Sequence, residues 1–169
     1  MDSRLILTVV GSDRPGLTDA LARAVLAADG NWLESHLARL GGKYVGSVLV
    51  EVPAGGEARL RAAVAAVDAA GLTVTLIAAG DDAPAPVSIH VTLTAQDRPG
   101  IVREFTAALA PLAVNIDALR TSVEPGAWSG APLFRAEALL RLPESVGEAE
   151  VAAALEAISA EIMVDFDPS

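Results

Sequence analysis

The sequence contains no cysteine. That excludes disulfides, thiolate nucleophiles and cysteine-ligated metals, and it gives no sign of an oxidising compartment. Aromatic residues make up only 4%, so the cores have to be built from valine, leucine, isoleucine and alanine. No apolar run approaches the roughly 18–20 residues that cross a bilayer. Met1-Asp2-Ser3-Arg4 runs straight into a strand pattern without the form of a signal peptide. A soluble, cytoplasmic protein without membrane contact is the expectation. Basic residues are scarce as well: 12 Lys and Arg stand against 22 Asp and Glu, giving a net charge of −10, of which −3 falls on residues 1–83 and −7 on residues 84–169. An acidic surface repels phosphate backbones, which argues against direct nucleic-acid binding.

Catalytic signatures are missing too. There is no serine-nucleophile elbow, no dinucleotide fingerprint and no histidine pair at metal-binding spacing. The two histidines, His36 and His90, lie far apart and read as packing or surface residues. Gly41-Gly42-Lys43 lacks the upstream glycine of a phosphate loop. Trp128 sits in a hairpin loop between Gly126 and Gly130, either as a contact anchor for a partner or as an exposed ring. The carboxylates are scattered over amphipathic segments. A non-enzyme with no cofactor and no metal is expected.

What the chain does contain is a duplication. Asp13-Arg14-Pro15-Gly16 returns as Asp97-Arg98-Pro99-Gly100, 84 positions later, and the register holds without a gap. Leu17 answers Ile101, Leu21 answers Phe105, Val25 answers Leu109 and Asn31 answers Asn115. Each tetrapeptide follows an apolar run and precedes a helical pattern. Proline has the fixed φ of a first helical turn, where its missing N–H costs nothing. A glycine beside it leaves the backbone open to close approach. The first amides of a helix lack internal acceptors and sit at the positive end of its dipole, so a strand feeding this turn suits a carboxylate or phosphate. The plainer alternative is that Asp13 and Asp97 cap their helices. A matched asparagine in both copies favours a shared site.

In order along the chain, Leu5–Val10 reads as a buried strand and 15–29 as a helix stopped by Gly30. Strands over 32–40 and 44–52 flank a Gly41-Gly42 hairpin turn. A helix over 57–70 and a strand over Leu72–Ala78 complete βαββαβ. Residues 1–80 form one domain, 81–86 (acidic, then Pro-rich) a linker, and 87–169 a second domain of the same order. There the spacing predicts a strand opening at Val87, a helix over 99–112, a strand over 115–123, a hairpin loop over 124–132, a returning strand from Phe134 to Leu142, a helix over 148–159 and a strand over 162–166. The fold class is α+β: two ferredoxin-like units, each a four-stranded antiparallel sheet with two helices on one face.

A unit of this length opening strand, Asp-Arg-Pro-Gly, helix, with asparagine just before the second strand, resembles an ACT domain. Two in tandem resemble the glycine cleavage system repressor family, and Leu40-Gly41-Gly42 also resembles that group. The resemblance implies a regulatory module that binds a small amino acid such as glycine or serine, between the first loop of one domain and the sheet edge of a neighbour. Carried over by position, the contacts are Asp13, Arg14, Gly16, Leu17 and Asn31, with Asp97, Arg98, Gly100, Ile101 and Asn115 in the second unit. Serine-sensing members have asparagine where this chain has Asp13 and Asp97; an ionised aspartate favours an ammonium and repels a carboxylate. The resemblance also implies self-association and action through a protein partner, such as a transcription factor. A ligand-free interaction module is the other reading.

Overall fold

The computed structural model describes residues 2–69, 71–80, 88–126 and 131–167. The chain divides into two compact units, Met1–Asp82 and Ala83–Ser169. The expected linker 81–86, Val87 and Trp128 lie outside the described residues.

In the first unit β1 (Ser3–Ser12), α1 (Leu17–Ala27), β2 (Asn31–Leu40), β3 (Lys43–Val52), α2 (Gly56–Ala69) and β4 (Leu72–Ala78) follow one another, and the sheet runs β2-β3-β1-β4. In the second, β5 (Ser88–Gln96), α3 (Ile101–Leu109), a 3₁₀ turn (Ala110–Leu112), β6 (Asn115–Pro125), β7 (Pro132–Arg141), α4 (Glu148–Glu156) and β8 (Met163–Asp167) form the same arrangement, ordered β6-β7-β5-β8. All strand pairs are antiparallel. Each is the expected ferredoxin-like unit.

Alternation builds the cores. Leu5, Leu7 and Val9 point to one face of β1, and Ile89, Val91 and Leu93 do the same on β5. Helix residues at i, i+4 and i+8 meet them: Leu17, Leu21 and Val25 in α1, and Ile101, Phe105 and Leu109 in α3. The two cores share no residue. No side chain among the described residues is both polar and buried. No helix among them is long and apolar enough to cross a membrane.

Several boundaries differ from the pattern reading, each for a local reason. The left-handed residue ending α1 is Asp29 (φ 54), not Gly30: the Asp29 N–H donates to the Leu26 carbonyl at 2.9 Å and the Gly30 N–H to the Val25 carbonyl at 3.0 Å. That is a Schellman closure. Gly30 is glycine for want of room, since a Cβ there would meet the Val25 carbonyl and the Val52 side chain at 3.0 Å. Helix α3 ends at Leu109 rather than at Leu112, because Pro111 has no N–H to continue the ladder and the chain tightens into the 3₁₀ turn. Strand β6 runs on to Pro125 and β7 starts at Pro132, so the hairpin loop is shorter than expected. Helix α4 stops at Glu156, yet Ile158 still packs against the core.

Candidate functional site

The two Asp-Arg-Pro-Gly segments fold alike, but not as helix starts. Gly16 has φ 90 and ψ 0, and Gly100 has φ 92 and ψ −3. A left-handed residue cannot lie inside a right-handed helix, so α1 and α3 begin two residues after their prolines. With proline at the second position and left-handed glycine at the third, Arg14–Leu17 and Arg98–Ile101 are type II turns. In the second copy the Ile101 N–H donates to the Arg98 carbonyl at 3.3 Å, closing that turn. The glycine carbonyls then accept the first helical bonds, from Ala20 N–H at 2.9 Å and Glu104 N–H at 3.0 Å. A Cβ on either glycine would meet nothing within 4 Å, so it is the φ value, not crowding, that demands glycine. Both helix N-caps are these glycines, with no side-chain cap. Asp13 and Asp97 therefore do not cap their helices.

The side chains around the two turns differ completely. In the first unit the turn end of the β2–β3 hairpin lies alongside the end of β1. Arg39 Nε lies 3.3 Å from Asp13 Oδ2, Lys43 Nζ donates to Ser12 Oγ at 3.2 Å, and the Thr18 and Tyr44 hydroxyls share a hydrogen bond of 2.7 Å. None of Arg39, Lys43 and Tyr44 was among the expected site residues. They belong to the hairpin, and only the fold brings them to the turn. In the second unit, Arg98 forms a forked pair with Glu104 in the first turn of α3, Nη1 to Oε1 at 2.6 Å and Nη2 to Oε2. No cation among the described residues pairs with Asp97, whose N–H donates to the Pro132 carbonyl at 2.9 Å.

The fork has a pH consequence. The hydrogen bonds from Arg98 hold the Glu104 carboxyl below its ordinary value, helped by the charges of Arg98 and Arg103 and opposed by desolvation. Arg98 is raised in turn, mainly by its bonds to Glu104. A carboxyl whose pKa is depressed on folding stabilises above its unfolded value, about 4.3, and that contribution is lost as pH falls through the folded value. Glu104→Gln should therefore lower the unfolding midpoint of the second unit at pH 7. The gap to the unsubstituted protein should narrow once the pH falls below the unfolded value and close as it passes below the lower folded value. A gap that persists unchanged into acid would assign it to packing.

The asparagines lie elsewhere. Asn31 opens β2 and faces Glu51 of β3, which faces Arg4 at the start of β1. The turn follows Ser12, eight residues further along β1, or roughly 26 Å at a strand's rise per residue. Asn115 is placed likewise, opposite Arg141, which faces Ser88. Its Nδ2 donates to Asp117 Oδ1 at 2.6 Å, and Arg141 pairs with the same oxygen at 2.7 Å. Within one unit, then, the turn and the asparagine do not converge.

The remaining candidates are superficial. His36 lies exposed beside Glu34 at 3.0 Å, and His90 is exposed on the open face of its sheet. A hollow of about 210 Å³ on β6 and β7 is lined by Arg120, Ser122, Glu124, Arg135 and Glu137, with Arg135 and Glu137 already paired at 3.1 Å. No group of three His, Asp or Glu among the described residues is arranged to hold a metal.

Residues 3–77, most of the first unit, match the family model of the ACT domain, and the second unit repeats the same sheet order with the same turn feeding its first helix. Over nearly its whole length the chain resembles the glycine cleavage system transcriptional repressors. It is 25% identical over 162 residues to the repressors of that name from Escherichia coli K12 and Shigella flexneri, covering 94% of this chain and 85% of theirs. A crystal structure of a protein of unknown function from Galdieria sulphuraria superposes with a TM-score of 0.84 at 27% identity, covering 99% of this chain and 98% of that one. A crystal structure described as a candidate glycine cleavage system transcriptional repressor superposes with a TM-score of 0.73 over 100% of this chain and 99% of its own; at 17% identity it speaks to the fold alone.

Proposed function

We propose that this protein is a regulator that senses a small amino acid, glycine or serine first among candidates, and that it acts through contacts with other proteins rather than by catalysis. The observation that carries this reading is the uncapped type II turn at the start of both first helices, in a chain that matches named transcriptional repressors over nearly its whole length. First-turn amides favour an α-carboxylate, while aspartate and asparagine oxygens accept from an ammonium. With a net charge of −10 the protein is poorly suited to hold DNA itself, so repression would pass through a protein partner, such as a transcription factor.

Asn31 does not reach the turn of its own unit, so it joins such a site from a neighbouring domain, and a second copy of the chain can supply one. β2 is a sheet edge, and two β2 strands pairing antiparallel would bring the Asn31 end of one beside the Leu40 end of the other, next to its turn. Self-association is thus part of the proposal. The length of the two edges, ten residues in β2 and eleven in β6, equally favours a second reading, a ligand-free module that assembles through strand edges.

Thermal unfolding with each proteinogenic amino acid separates the two. A ligand that binds only the folded state at a hundred times its dissociation constant stabilises by about 2.7 kcal/mol. A rise in midpoint that disappears in Asn31→Ala or Asn115→Ala supports the sensor. No rise with any amino acid at millimolar concentration refutes it and leaves the interaction module.

A further inference from the structure

Sheet register shows that the two turns stand in opposite electrostatic surroundings. Arg39 lies opposite Tyr44, which lies opposite Gly11; in the second unit Val123 lies opposite Phe134, which lies opposite Ala95. One step further, Lys43 faces Ser12 where Leu133 faces Gln96. The positions that carry Arg39, Lys43 and Tyr44 beside the first turn thus carry Val123, Leu133 and Phe134 beside the second. Conversely Glu104, which neutralises Arg98, corresponds to Ala20. In the first unit the turn's carboxylate is cancelled by Arg39 and a second cation, the chain's single lysine, stands next to it. In the second, the turn's arginine is cancelled and its carboxylate is left without a cation among the described residues.

We propose that the carboxylate of an amino-acid ligand is accepted only at the first turn, with Arg39 as the selecting residue, so that each chain holds one ligand rather than two. This rests on the sensor reading and specifies its site. An uncompensated Asp97 repels an incoming carboxylate in the same place where its first-repeat counterpart has been neutralised. The two turns share one backbone, so their preference is set by side chains on β2 and β6. Arg39 and Val123 are both exposed, which makes them exchangeable without loss of the fold.

Isothermal titration of the full chain with glycine, L-serine and L-glutamate provides the test, with ethanolamine as a probe lacking the carboxylate. One site per chain is expected for whichever amino acid binds. Arg39→Val should weaken it at least tenfold, Arg39→Lys should stay within about threefold because the charge is kept, and Val123→Arg should add a second site. Two sites in the unsubstituted chain, or an unaltered dissociation constant in Arg39→Val, would overturn the inference while leaving the sensor standing. A complete absence of binding by every proteinogenic amino acid would remove both.

Discussion

Alanine at Gly46 is expected to strip β2 from the first sheet and, with it, to lose whatever Arg39 and Asn31 do. Gly46 lies in mid-strand with φ 150, opposite Leu37 of β2 and Val9 of β1. A Cβ there would stand 1.9 Å from the His36 carbonyl oxygen and 2.9 Å from the Leu37 Cα. Both obstacles are backbone, so no rotamer change relieves them. Left-handed strain alone is of order 1–3 kcal/mol, and overpacking adds typically 1–3 kcal/mol. We expect a loss of about 3 kcal/mol or more, with hydrogen exchange accelerated first across residues 31–40. Since the cores share no residue, protection in β5 and β7 should be unchanged. A variant within about 1 kcal/mol of the parent would show that β2 can shift at little cost. The second unit has Ala136 at this register position, opposite Leu93, and buries it.

The second large effect belongs to Phe105. It is the largest fully buried side chain among the described residues, 1% exposed, and it sits where the first unit has Leu21. Truncating a buried phenylalanine to alanine costs roughly 3–5 kcal/mol, because the cavity closes only in part. A unit of this size has a total stability of about 4–13 kcal/mol, so Phe105→Ala should bring the second unit to the edge of unfolding and leave the first one folded. Phe105→Leu, which installs the residue of the first repeat, should cost no more than about 1.5 kcal/mol. Denaturant unfolding followed separately in the two units would measure both. Equal losses for alanine and leucine would mean that ring shape matters and volume does not.

Local pattern carried the architecture well. The alternation of Ile89, Val91 and Leu93 with His90, Thr92 and Thr94 identifies β5 and its buried face, and β4 falls on the expected residues, Leu72–Ala78. The order of strands and helices follows in both units. Element ends were less legible because they depend on the conformation of single residues. Nothing in the composition says that Asp29, rather than the neighbouring Gly30, adopts positive φ, or that Ala113 does. The Gly46 signal was present as a glycine inside a valine-rich strand, which marks a close approach of backbones.

The tetrapeptide shows the division most clearly. Its residue types permit a type II turn in either repeat, because proline presets one φ and only glycine takes the other at no steric cost, although the same proline also suits the first helical turn that the pattern suggested. Duplication, helix and strand periods and the acidic surface were likewise written in the chain, since each depends on neighbours a few residues away or on plain counting. The surroundings of the turn were not. Arg39 reaches Asp13, and Tyr44 reaches Thr18, only because a hairpin register brings residues 26 positions apart within hydrogen-bonding distance. The asparagines, close to the turn in sequence, are carried by α1 and α3 back to the far end of the sheet. Backbone conformation is a property of short segments, but which charges meet is decided by strand pairing, and pairing exists only in the folded protein.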